Sequence, residues 1–518
     1  MSVRKAIAPS LALFTLALLA SCGSSSPTGM APPSGGFSAK NLTGTYVFSS
    51  TGLDNTGFTL DIAGTVVANG SGGITGGTID IVGPNVTPTT PVAQPITGSY
   101  TVGADGRGQL KLGITTLDFV LTSSSHGLIT EFDSNGSGSG TIDLQSTVTL
   151  AQLAGSFAFS LAGEDVNFNP TATVGSFTLD NAGNVTGGVQ DFNDNIFPFL
   201  ALPILPGTAT LGTGTGPGSI TLSTGTFGTL TFDYYPIDAT HLKFIETDYT
   251  NGFLAGDAFT QTGATIPTGP MVFTVEGFDN SSGIIGAGGI MTSDGTGNFS
   301  NGLEDANIGG SVSPAQLPFS GTAAPGGSVG GRVLVNMSTF TPAIQYVIYP
   351  SGGGVLMLET DSLALTSGVA YAQTSQTFAT SQGYGLNLSA INTSNGLGAY
   401  FAEDDIAEFT AASASFSGLV DINDQGATSF AQTFNSSSYT PPDSTGRGFA
   451  ATVSHNNPFV SYLFYVVNDS TVLLLETDST QIGVGTLGLQ NAGSGGTAQP
   501  AIAMVHPPGR GRGAFRRK

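Results

Sequence analysis

The chain is written in short alternations of apolar and polar positions. In Leu230-Thr231-Phe232-Asp233-Tyr234 the large side chains take every second place, which is the period of a strand with one face on a core. Such runs are punctuated about every 8–12 residues by turn signals, among them Asp105-Gly106, Asn181-Ala182-Gly183-Asn184 and Asp294-Gly295-Thr296-Gly297. No long stretch carries a helical period. The pattern predicts an all-β protein of antiparallel strands joined by short links. An up-and-down meander of that kind hides its edges by closing into a barrel. A β-sandwich with Greek-key crossovers is the alternative.

The alternation is written four times over. Glu-x-Asp closes an apolar strand at Glu131/Asp133, Glu246/Asp248, Glu359/Asp361 and Glu476/Asp478. A glutamine follows each, at Gln145, Gln261, Gln373 and Gln490. An aspartate precedes each, just after a glycine-bearing turn, at Asp80, Asp191, Asp305 and Asp421. Three copies carry an arginine in a glycine turn, Arg107, Arg332 and Arg447, where the second copy has Gly216-Pro217-Gly218. Four features in one order and register define tandem units at 41–146, 150–262, 267–375 and 378–491, each expected to form an eight-stranded barrel. Tyr346-Val347-Ile348-Tyr349 and Tyr462-Leu463-Phe464-Tyr465-Val466-Val467 are apolar on both faces. A strand of that composition is buried on both sides, so units three and four should pack against a neighbour.

The first residues carry a different pattern. Arg4 and Lys5 precede an apolar run from Ala6 to Ala20, too short for a membrane span and suited to a signal peptide over 1–21. Leu19-Ala20-Ser21-Cys22-Gly23 resembles the lipobox of bacterial lipoproteins, which implies lipidation of Cys22 as the mature N-terminus. Gly23 implies, by the same resemblance, an outer-membrane location. Residues 22–40 are rich in Gly, Ser and Pro and read as a flexible tether. Gly44-Thr45-Tyr46 and Gly155-Ser156-Phe157 resemble the Gly-x-aromatic opening of lipocalin and avidin barrels. The whole is similar to uncharacterised bacterial lipoproteins with tandem Gly-rich β repeats, a resemblance that implies no activity.

Charge narrows the partners. The net charge is −22, and between Asn41 and His506 the only basic residues are Arg107, Lys111, Lys243, Arg332 and Arg447. Such a body repels phosphate backbones, so nucleic acid is excluded as a partner. The tail, 492–518, ends in Arg510, Arg512, Arg516, Arg517 and Lys518. It reads as a disordered, solvated end, or as one that touches anionic lipid or surface polysaccharide.

Candidate chemistry is sparse. Glu and Asp two apart share a strand face and offer a carboxylate pair, or a glutamate that pins the barrel end by pairing with the turn arginine. Asp-x-Asn recurs at Asp191/Asn193, Asp305/Asn307 and Asp421/Asn423, read as an Asx-turn cap rather than a calcium loop. His126, His241, His455 and His506 are not in metal-ligand or triad spacing, so no metal or cofactor is expected. Asp191 with Glu246 is the pairing a glycosidase would need, but a chain without Trp lacks the usual sugar platform. The segment NIFPFLALPILPG breaks the polarity of the equivalent loops. Its Phe197, Phe199, Leu200, Leu202, Ile204 and Leu205 should fold over the barrel mouth as a lid or offer a sticky site for a partner, a lipid or an apolar ligand. The expectation is a non-enzymatic, lipid-anchored envelope protein with an interaction or structural role, an envelope protein or glycan being the partner. A lipocalin-like carrier of small apolar ligands is the alternative, separable by whether the barrels are filled or hollow.

Overall fold

Strand alternation becomes barrel closure in the first unit. In this computed structural model Thr43–Asp54, Thr59–Asn69, Gly73–Val82, Gly98–Val102, Arg107–Leu112, Thr115–Leu121, His126–Glu131 and Gly136–Leu144 each pair antiparallel with the next. The last pairs back onto the first, Phe48 opposite Ile142. Units two and three repeat the scheme, closing with Phe159 opposite Ala258 and Phe273 opposite Ala370. The fourth is a half-barrel. Its sheet runs through nine strands without a ladder between its end strands, Ala427–Ser436 and Ser438–Thr440. Two hydrogen bonds tie that seam, Ser454 N to Asn435 O and Ser436 Oγ to Ala451 O, both 2.8 Å. Residues 36–86, 93–249, 252–261, 265–279, 283–313, 316–324, 329–338, 343–392, 401–455 and 460–493 are described. Apart from strands they hold two three-residue 3-10 turns, and no helix among them is long and apolar enough to cross a membrane.

Each barrel has its own core of inward side chains, such as Phe48, Phe119 and Ile129 in the first and Phe159, Phe177 and Phe244 in the second. The outward faces are apolar too where barrels meet. Tyr346 and Ile348 enter the third core, while Val347 and Tyr349 pack on Ala158, Ala172 and Val174 of unit two. Likewise Tyr462, Phe464 and Val466 fill the fourth interior, and Leu463, Tyr465 and Val467 meet Val272 of unit three. The two-faced strands therefore sit between two cores, as their composition requires.

The packing extends to all four units. Val47, Ala63 and Val82 of unit one meet Tyr235, Ile245 and Phe253 of unit two, and Ile406 of unit four meets Val120 and Leu128 of unit one. In every junction the second strand of one unit lies on the late strands of the next. The junctions run one to two, two to three, three to four and four back to one. A head-to-tail interface propagates as a filament unless its rotation closes. Here it closes after four copies into a ring.

Candidate functional site

The residues that mark the repeat meet at these four junctions. Asp191 of unit two receives the Arg332 guanidinium at 2.6–3.0 Å and the Tyr349 hydroxyl at 2.6 Å, both from unit three. Asp305 of unit three receives Arg447 at 2.8 Å and Tyr465 at 2.6 Å from unit four. Asp421 of unit four receives Arg107 Nη1 of unit one on both oxygens at 3.0 Å. Asp80 of unit one has no arginine opposite it, because unit two lacks one; the Tyr235 hydroxyl fills the place at 2.6 Å. Unit one, in turn, has Val120 where the others have tyrosine, opposite Arg107 in the ladder. Each buried carboxylate thus meets an arginine, a tyrosine or both from the following unit.

The glutamines complete the same joints. Gln145 Nε2 donates to Pro236 O, Gln261 Nε2 to Gly330 O and Pro350 O, Gln373 Nε2 to Thr445 O and Val466 O, and Gln490 Nε2 to Asp105 O and Leu121 O. All seven bonds pair a side-chain amide with backbone of the next unit. Asn193, Asn307 and Asn423 also donate across, to the carbonyls of Glu359, Glu476 and Glu131 at 2.9, 3.2 and 2.7 Å. The Asx-turn reading of Asp-x-Asn holds only at Asn423, whose Oδ1 accepts from Gly426 N at 2.8 Å; otherwise both residues lie within strands and face the neighbouring unit. The turn arginines pair with the preceding unit's aspartate, and the signature glutamates remain within their own barrels.

Those glutamates, Glu131, Glu246, Glu359 and Glu476, are buried. Burial first, then the adjacent aspartate's negative charge, pushes Glu359 up to about 8 and the other three well above the usual carboxyl range. The partner aspartates cap backbone: Asp133, Asp248 and Asp361 accept from the amides of Thr116, Thr231 and Gln345 at 2.7–2.8 Å. The motif closes the end of each unit, carboxyl inward and carboxylate on the turn. Asp191 and Glu246 do not form a pair: one faces unit three and the other lies inside barrel two, where Glu246 Oε2 accepts from Leu254 N.

The apolar segment of unit two is a strand, not a lid. Phe197–Ile204 runs antiparallel to Asn184–Asp194. Phe199 and Leu202 lie half-buried on the barrel-two core and Ile204 is buried. Phe197 is 63% exposed, with Leu200 and Leu205 also exposed. The bulge that turns it has a reason: Ala201, at a φ of +52°, donates its amide to Asp191 Oδ1 at 2.8 Å. Ala93 and Ala431 serve Asp80 and Asp421 in the same way. Alternation was masked here because prolines and the bulge interrupt it.

Three of the four histidines are described, and all three are buried beside acids. His126 meets Asp143 at 2.6 Å, and His241 meets Asp257 at 2.6 Å with Lys243 at 3.3 Å. His455 meets Asp405 at 2.6 Å and Glu403 at 3.7 Å, and ligand atoms of these three lie within 4.8 Å of one another. They could hold a cation, but the geometry equally suits a protonated imidazole: Asp405 and Glu403 lift His455 to about 9 against the effect of burial. Sequence spacing gave no hint of this group because strands some fifty residues apart supply it.

The barrels differ inside. The third holds a cavity of about 200 Å³ walled by Phe273, Ile285, Ala287, Ala306, Phe319 and Met337 among others, with Glu304, Glu359 and Tyr346 on it. A comparable space in the fourth is about 20 Å³. One cross-strand pair accounts for much of the difference. It is Ile62/Ile81 in unit one, Thr173/Phe192 in unit two and Asp405/Ile422 in unit four, but Ala287/Ala306 in unit three. At ~24 cal/mol per Å³, an empty void of that size costs about 5 kcal/mol. Cys22 and the tail cations lie outside the described residues.

No family model matches the chain, and no curated protein matches it. Among solved structures, it is similar to the isotype 1 transferrin binding protein B from serogroup B Neisseria meningitidis, over 70% of this chain and 84% of that one, at 10% identity and a TM-score of 0.20.

Proposed function

We propose that the protein is an exported, non-enzymatic envelope lipoprotein, held by an acylated Cys22, whose four barrels form a rigid ring that presents its rim to an envelope protein or glycan. The observation that carries this reading is that the repeated aspartates and glutamines, with the arginines and asparagines of three units, are spent on joining barrels. Repetition without a shared catalytic cleft suits a scaffold. The two ends of the described body lie side by side, where Asn41 Nδ2 donates to Ala492 O at 3.1 Å, which favours one anchored side. Exposed Phe197, Leu200 and Leu205 supply an apolar strip on the rim of barrel two, the kind of surface a partner covers.

Two measurements test it. Cys22→Ser should move the protein from the membrane fraction to the soluble one and abolish labelling by a fatty-acid analogue. A photo-crosslinker at position 197 in cells should trap one envelope component, whereas the same group at Ile114, on barrel one, should trap none. Equal labelling from both positions would remove the support for a specific rim.

A further inference from the structure

The third barrel combines three features. Its interior holds about 200 Å³, more than the ~150 Å³ of an engineered apolar cavity that takes up benzene. The space exists because alanine occupies both Ala287 and Ala306, where other units place Ile, Thr, Phe or Asp. One wall is acidic. Glu304 and Glu359 line it, Glu359 Oε2 accepts from Thr366 Oγ1 at 2.7 Å, and Tyr346 shares the same hydroxyl at 2.7 Å. No Lys, Arg or His stands among the described lining residues.

The geometry points to a binding site in barrel three for a small apolar amine, its ring or short alkyl part between Phe273, Phe319 and Met337 and its ammonium against Glu359 and Glu304. An apolar chamber with a few converging polar groups is the usual form of a small-molecule site. A carboxyl withdrawn from water without a cation beside it favours a ligand that brings one. A neutral hydrocarbon would fill the volume but bring no cation to Glu359.

The test uses the full-length protein with two probes of similar shape, benzylamine and toluene, followed by saturation-transfer NMR and by the shift in melting temperature. Benzylamine should bind at least tenfold more tightly than toluene. Glu359→Gln should weaken benzylamine by tenfold or more and leave toluene within twofold. Ala306→Phe installs the residue unit two uses at that place and should abolish binding of both. Where its circular dichroism departs from the native spectrum, Ala287→Ile, the choice of unit one, serves instead. If Glu359→Gln disturbs the fold, Glu304→Gln carries the same charge comparison. Undiminished benzylamine binding in the filled-cavity variant overturns the site. Equal affinity for the two probes overturns the amine assignment, and no binding of either at millimolar concentration overturns both.

Discussion

At the scale of single residues, the ring depends on a few buried ion pairs at its junctions. Among the described residues, Arg107 is the cation that reaches Asp421 in the closing junction. Removing one member of a buried pair leaves the other desolvated and uncompensated, at a cost of ~3–5 kcal/mol. Arg107→Met should therefore lower unfolding stability by about that amount in urea titration. Tyr235→Phe should cost less, about 1–2 kcal/mol, because Asp80 keeps the Ala93 amide. The glycines before the arginines have an equally local reason. Gly106, Gly331 and Gly446 take φ values of +84°, +77° and +82°. A Cβ at Gly446 would lie 2.6 Å from the Gln373 amide nitrogen. Gly446→Ala should lose both the backbone conformation and the cross-unit hydrogen bond, about 1–2 kcal/mol by the same titration. The sequence made the Gly-Arg pair visible, but a carboxylate more than a hundred residues away could not be matched to it by spacing.

At the scale of elements, glutamates buried on the strands set an unusual pH response. Burial raises the folded-state pKa of Glu359 and Glu403 to about 8, above an unfolded value of ~4.3. Such a group contributes its full stabilisation below the unfolded value and loses it as pH climbs to the folded one, at about 1.4 kcal/mol per unit of difference. His455, raised to about 9, acts in the same direction over the upper part of that window. The melting temperature should accordingly be higher at pH 5 than at pH 8.5, and a melting series in matched ionic strength checks the sign. A flat or rising profile would mean that these carboxyls are hydrated. The Phe197–Ile204 strand predicts a different outcome. Phe197 lies largely in solvent, so Phe197→Ser should change stability by no more than about 0.5 kcal/mol.

At the scale of the molecule, closure of the ring is the main finding. Units one and four share no direct chain connection, yet their junction carries the arginine, glutamine and asparagine contacts of the two-to-three and three-to-four junctions: Arg107 with Asp421, Gln490 with Leu121 O, Asn423 with Glu131 O. The break in the chain is therefore arbitrary with respect to the interfaces. A circular permutant that joins residue 493 to residue 36 by a short linker and opens between 146 and 150 should fold with stability within about 1 kcal/mol of the parent, since termini that lie close together tolerate such joining. Deleting unit four should instead expose Val120 and Leu128, which Ile406 covers, and gel filtration should report self-association.

The sequence by itself determined the strands, their four-fold repetition and the two-sided burial of Tyr346–Tyr349 and Tyr462–Val467. Each of those follows from side-chain period and composition over a few residues. It also marked the aspartates, arginines and glutamines as belonging to the repeat. Only the tertiary structure decided what they do, because a barrel brings its strand ends to a neighbour according to twist and closure rather than chain distance. The same holds for the hollow third barrel: Ala287 and Ala306 are unremarkable along the chain, and become a cavity only when the sheet curls and sets them side by side.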